Sequence, residues 1–362
     1  MQELYLARTL VVVSLLAGAM TAVPTADAQT MNQYQLEPGA NGLELTVREV
    51  AQPTPGANEV LVRVRAVSLN RRDVYVKGRD TSRGLVPTSD GAGEVIAIGS
   101  NVTQFNVGDR VAGTFFKDFS GGRRTAEAIA SARGGGSVDG MLAEMIVSAE
   151  VGLVAVPDYL SFEEAATLPC AALTAWRSLF VEGGLKTGET VLLEGTGGVS
   201  IFGLQLAAAA GANPIITSSS DAKLEQARSL GAVGTVNYRT NPEWQQEVLE
   251  LTGGSGVDHV LDVVGQETLH RAIEALAFDG HIAIIGSLSG DADTLPLGRL
   301  PRGSSVTNIN VGTREDFQAM NAFLTEHQLR PVIDRVFPFE EAPAAYAYME
   351  SGAHMGKIVI SL

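Results

Sequence analysis

Apolar and polar positions follow two different rhythms along this chain. Residues 60–67 alternate apolar with charged side chains, the pattern of a half-exposed strand. Residues 91–111 hold short apolar pieces broken by Gly99, Asn101 and Gly108-Asp109, so residues 31–160 predict a mostly β unit with tight turns. From residue 190 the rhythm changes. A short apolar strand, residues 191–193, runs into Gly195, Gly197 and Gly198, and Val199, Phe202, Leu204, Leu206 and an alanine run then predict a helix. Residues 215–217 read as a second strand and 222–230 as a helix stopped at Gly231. Further strands are expected at 257–264, 281–285 and 306–311. Strands alternating with helices predict a parallel, doubly wound sheet and an α/β fold class. Past residue 312, residues 342–349 predict a helix and 357–361 a last strand that pairs back with the first unit. Residues 117–140, rich in Gly, Arg and Ser, read as a surface loop, with a lid as the alternative.

The turn at 195–198 carries the clearest chemistry. With no bulky side chain between strand and helix, bare backbone can approach a pyrophosphate, and the free N–H groups of the helix's first turn point at the anion. Ser200 replaces the third glycine of the usual fingerprint, with Gly203 one turn later. A glycine turn after a strand can be only a turn, so the weight comes from the strands and helices around it.

A length of 362 residues suits two domains. The formal net charge of −15 disfavours nucleic acid as a partner, though it leaves room for a local basic pocket. One cysteine, Cys170, allows no intramolecular disulfide and no cysteine-rich zinc site. The five histidines, 259, 270, 281, 327 and 354, show no metal-ligand spacing. No Tyr-x-x-x-Lys pair and no Gly-x-Ser-x-Gly elbow occurs, which argues against short-chain dehydrogenase and α/β-hydrolase chemistry. At the N-terminus, an apolar run at 10–20 follows Arg8 and precedes Ala26-Asp27-Ala28. Residues 1–28 therefore predict a cleaved export signal, with no membrane span once it is removed and a periplasmic or secreted protein as the result. A cytoplasmic protein starting at Met31 is the alternative.

The segments at 91–111, 163–176 and 195–199, in that order and spacing, resemble the medium-chain dehydrogenase/reductase family. The resemblance implies a GroES-like, mostly β catalytic domain at 29–164, a Rossmann domain at 165–311 and a return to the catalytic domain at 312–362. It implies a dinucleotide held by Thr174, Gly195, Thr196, Gly197, Gly198, Val199, Ser218, Ser219, Lys223, Tyr238, Val264, Gly286 and Val311. It also implies a homodimer, with 306–311 suited to pairing across it. Where zinc-dependent members carry metal ligands, this chain has Asn70 and Ser89, with Asp90 beside them, and only Cys170 persists. Asn and Ser are poor zinc partners, so no metal is expected. Ser218 stands where NAD-binding members place an acid, and Lys223 and Tyr238-Arg239 lie near, which favours NADP(H) over NAD(H). The serines could equally cap the next helix, with Lys223 a solvated charge and Asp221 on the helix.

Without a metal, an organic donor must stabilise the charge that develops on the acceptor oxygen. The candidates are Asn70 and Tyr75, with Ser89 and Asp90 close by. Asn70 could instead be a turn residue, Tyr75 a helix position, and Arg71 and Arg72 a charged face or a phosphate guide. The expected activity is reduction of a quinone, enone or other carbonyl. The alternatives are an alcohol dehydrogenase with a recruited metal and a catalytically silent NADP(H) sensor.

Overall fold

The computed structural model describes residues 29–39, 42–77, 84–290 and 297–362. The expected export signal, residues 1–28, lies outside them. Strands β1 (Thr30–Gly39) and β2 (Gly42–Ala51) form an antiparallel hairpin. They are followed by β3 (Glu59–Leu69), β4 (Asp90–Ile98), β5 (Arg110–Gly113), β6 (Met145–Ala149) and β7 (Leu153–Ala155). The chain then makes a second sheet and returns with β14 (Ile333–Pro338) and β15 (Lys357–Ser361). The first sheet runs β14-β15-β3-β4-β5-β7, with β6 also pairing β3. The expected return of residues 357–361 is therefore observed, antiparallel to β3 with Ile358 opposite Leu69.

β3 is not half-exposed. It pairs with β4, β6 and β15 along different parts of its length, and of its residues only Arg63 is exposed. A central strand covered on both faces buries what an edge strand would show to water.

The second sheet contains β8 (Thr190–Leu193), β9 (Asn213–Ser218), β10 (Gly234–Asn237), β11 (Val257–Asp262), β12 (Leu276–Ile284) and β13 (Ser305–Asn308). Its order is β10-β9-β8-β11-β12-β13 and every pairing is parallel. This is the doubly wound arrangement, with the strand order reversing between β8 and β11, where such sheets open a crevice at their carboxyl ends. Leu193, Ile201, Phe202 and Leu261 belong to one core cluster on its side, and Leu192, Val260 and Ile282 to another. Val306, Thr307 and Asn308 belong to β13, but the expected continuation to Val311 does not form. Val311 lies beyond the strand with φ +40°, a costly conformation for a β-branched residue.

Residues 117–140 include a short helix, Ala126–Ala130, capped by the Thr125 hydroxyl. Arg124 from this stretch donates to the Val311 carbonyl, so the stretch is docked on the second sheet's side of the molecule. No helix among the described residues is long and apolar enough to cross a membrane.

Candidate functional site

A cleft of about 1060 Å³ opens at the reversal point between β8 and β11. Its floor is the turn from β8 into the helix Gly198–Ala209. Gly195 has φ +71°, a conformation glycine adopts without strain. A Cβ added to Gly195 or Gly197 would meet nothing within 4 Å. Gly197 caps the helix with no side-chain hydrogen bond and bridges to Gly356 through its flanking backbone, so first-turn N–H groups beyond that bridge are left to an anion. Gly203 does the packing expected of the fingerprint's last glycine, since a Cβ there would meet Leu193 Cδ2 at 2.7 Å and Leu261 Cδ2 at 3.0 Å. Ser200 fits because its hydroxyl donates to the Glu194 carbonyl at 2.6 Å.

Ser218 and Ser219 at the end of β9, Lys223 in the helix after it and Tyr238 just past β10 all border the cleft. The capping role is present as well, since the Ser220 hydroxyl accepts the Lys223 N–H at 3.5 Å. Lys223 Nζ is not simply solvated and donates to the His354 carbonyl at 2.9 Å. Asp221 opens the next helix and accepts from Asn237 Nδ2 at 2.6 Å, outside the cleft wall. Arg239, expected beside Tyr238, does not border the cleft either. Thr174, Thr196, Gly198, Val199, Val264, Gly286 and Val311 also line the cleft.

The opposite wall is the start of the helix Arg71–Lys77. Asn70 borders the cleft, and its N–H donates to Asp73 Oδ2 at 2.7 Å, so the turn role is real too. Asn70 Oδ1 accepts from Lys357 Nζ at 2.6 Å, and Asn70 Nδ2 is buried and faces the Asp90 carboxylate, whose charge it helps to stabilise. Tyr75 stands at the cleft, 43 % exposed, with the Arg71 guanidinium 5.7 Å above its ring. Ser89 and Asp90 require a correction. Both are fully buried and neither borders the cleft. Ser89 Oγ donates to Asp90 Oδ1 at 2.7 Å, and the Cys170 N–H donates to Asp90 Oδ2 at 3.1 Å. The two residues brace the wall from behind.

Three groups went unrecognised in the sequence. Lys357 is 2 % exposed, and its ammonium also donates to the Leu69 carbonyl at 2.7 Å and lies 3.9 Å from Asp90 Oδ2. A lysine opening an otherwise apolar strand was the available signal. His354 borders the cleft, and burial, then the Lys357 and Lys223 charges, push its imidazole down to about 4. Glu194 and Asp262, at the ends of β8 and β11, form a buried acidic pair. Burial raises both carboxyls, and the Asp262 charge raises Glu194 further.

The parallel sheet, its glycine cradle and the cleft define a dinucleotide-dependent enzyme architecture. Residues 56–158 match the alcohol dehydrogenase GroES-like domain family, and residues 198–326 match the zinc-binding dehydrogenase family. A zinc-type alcohol dehydrogenase-like protein of Schizosaccharomyces pombe is 44% identical, the match covering 84% of this chain and 91% of its own. A quinone oxidoreductase of Pseudomonas aeruginosa is 33% identical across 87% of this chain and 95% of its own. A solved NAD-dependent alcohol dehydrogenase superposes with a TM-score of 0.80 at 34% identity, covering 92% of this chain and 99% of that one. The chain belongs to the medium-chain dehydrogenase/reductase family and is an NAD(P)H-dependent oxidoreductase.

Proposed function

We infer that this oxidoreductase uses NADPH, without zinc, to reduce a conjugated carbonyl or a quinone. The observation that carries the reading is the single cleft that joins the bare glycine turn to Asn70 and Tyr75. The donor set does not suit a zinc ion. Asn70 Oδ1 is already taken by an ammonium, the Ser89 hydroxyl is committed to Asp90, and burial followed by the Asp90 charge pushes the Cys170 thiol well up, keeping it neutral. A dication beside the Lys357 ammonium would also be repelled. The coenzyme fits better. The turn's N–H groups suit its pyrophosphate, while Ser218, Ser219 and Lys223, with Asp221 engaged elsewhere, suit a 2′-phosphate.

A reduced nicotinamide supplies a hydride to the acceptor carbon, and a proton from water completes the two-electron reduction. The Tyr75 hydroxyl at the mouth donates to the oxygen on which charge develops. Quinones and enones suit such a donor because the charge spreads into a hydroquinone or an enolate, whereas a simple alcohol relies on a Lewis acid. A homodimer paired through β13 and an export signal cleaved before Gln29 belong to the same reading. Mass spectrometry of the mature N-terminus checks the cleavage.

Fluorescence titration with NADPH and NADH, followed by turnover of 1,4-benzoquinone, tests the function. The expected result is NADPH affinity at least about 10-fold above NADH and turnover by protein with only trace zinc. Stoichiometric zinc would favour alcohol oxidation. Binding without turnover across a broad carbonyl panel would favour a sensor.

A further inference from the structure

Val311 adopts φ +40°, a strained conformation for a β-branched residue. Such strain persists only where the surroundings enforce it, and it gathers at ligand walls. Ile309, Asn310 and Val311 all border the cleft. The segment is fixed on both sides of the strained residue. The Ile309 N–H donates to the Ile284 carbonyl at 2.8 Å, and Gly312 sits so close to Leu173 that an added Cβ would meet its Cδ1 at 2.6 Å. The Val311 carbonyl itself accepts from the Arg124 guanidinium, which reaches across from the stretch before the helix Ala126–Ala130. Arg124 forms no ion pair among the described residues. The nearby Asp316 is held instead by Arg177 at 2.7 Å, and Arg124 Nε is buried without a partner. A part-buried guanidinium is ordinarily matched to a carboxylate. This one is directed at a single main-chain oxygen.

We propose that Arg124 is a positioning residue for the nicotinamide half of the coenzyme: it clamps the Val311 carbonyl and so holds the wall at residues 309–311 in its strained shape. This rests on the coenzyme reading above. With the pyrophosphate on the glycine turn after β8 and the adenosine ribose over the end of β9, the nicotinamide lies on the other side of the reversal point. The wall there is made by the segments that follow β12 and β13. Arg124 does not border the cleft, so it acts through that wall and not on the coenzyme directly.

Parallel titrations with NADPH and with 2′-phospho-ADP-ribose, which lacks the nicotinamide, test the assignment. Arg124→Met is expected to weaken NADPH at least about fivefold, the low end of what one strained residue costs, and to leave 2′-phospho-ADP-ribose within about twofold. Glycine adopts φ +40° without strain, so in a Val311→Gly background the same substitution is expected to change NADPH affinity less than about twofold. Equal weakening of both ligands would overturn the inference, because Arg124 would then support the cleft as a whole. An undiminished loss in the Val311→Gly background, or no loss at all, would overturn it too. Where Arg124→Met does not fold, Arg124→Gln, polar but shorter, takes its place under the same expectations. A parent that binds the two ligands equally has no nicotinamide contact at this wall, and the inference falls with it. If the parent prefers NADH, only the 2′-phosphate reading fails, and NADH against ADP-ribose decides the role of Arg124 in the same way.

Discussion

Asp73 carries a charge that the fold tolerates poorly. It is 1 % exposed in the first turn of the helix Arg71–Lys77, and burial raises its carboxyl to about 6. The Arg72 charge, the Asn70 N–H and the Lys357 charge pull it down, and Asp90 pushes it up. Its folded value thus lies above the ordinary carboxylate value of about 3.9, so the native state holds the proton more tightly than the unfolded chain does. Stability therefore falls as pH rises from about 4 to about 6, and the deficit persists above that. Asp73→Asn keeps an oxygen for the Asn70 N–H and removes the charge. The variant should be more stable than the parent by roughly 1–3 kcal/mol at pH 8 and about equal at pH 4, as read by urea denaturation at both. A destabilised variant at pH 8 would show instead that the Arg72 contact, 3.8 Å away, outweighs burial. Lys223 gives a second prediction. Lys223→Ala should weaken NADPH roughly 10-fold or more, the worth of one charge-assisted contact, and leave NADH nearly unchanged. Lys223 was legible because it stands one turn past its own strand. Lys357 was not, because its partner Asn70 is 287 residues away and the two meet only when β15 pairs with β3.

The same contrast holds for whole elements. The strand, turn and helix at 190–209 depend on local pattern and could be read directly, because glycines between an apolar strand and an apolar helix have few other uses. β3 was misjudged because its burial is decided by three distant partners. The end of β13 was misjudged for a different reason. The apolar run continues through Ile309 and Val311, but these residues border the cleft and make no strand. Ser89 and Asp90 were placed near the right centre but on the wrong side of its wall, a matter of side-chain direction at the start of β4 that spacing does not encode. The glycine turn allows a clean separation of folding from binding. Gly197 has φ −77° and ψ −177°, which alanine adopts freely, and an added Cβ would meet nothing within 4 Å. Gly197→Ala should therefore cost no more than about 1 kcal/mol, the cost of replacing a glycine N-cap by the poorer alanine. Its methyl group would occupy the space a pyrophosphate needs, so dinucleotide affinity should fall at least about 10-fold. Thermal melts and coenzyme titration of the same sample check both halves. Unchanged affinity would remove the turn from the binding site.

At the scale of the molecule, the parallel sheet has an open edge. β13 pairs with β12 on one side, and no strand among the described residues lies on its other side. Its two end residues, Ser305 and Asn308, are exposed, and Val306 and Thr307 are half-buried. Unpaired N–H and C=O groups along such an edge are a template for another strand. A second copy related by a two-fold axis would bring the same edge, antiparallel, and close both at once. The other edge, β10, is flanked by exposed Tyr238, whose place at the cleft gives it a different task. Light scattering after gel filtration should therefore give a mass about twice that of the 38.0 kDa chain, less any residues removed from its N-terminus. Ser305→Lys combined with Asn308→Lys would set like charges against each other across that axis while leaving the β12 side of the strand intact. The double variant should shift to monomer, more so at low salt, where screening is weaker. A parent that is monomeric at micromolar concentration, or a double variant that stays dimeric at every salt concentration, would place the interface elsewhere or remove it.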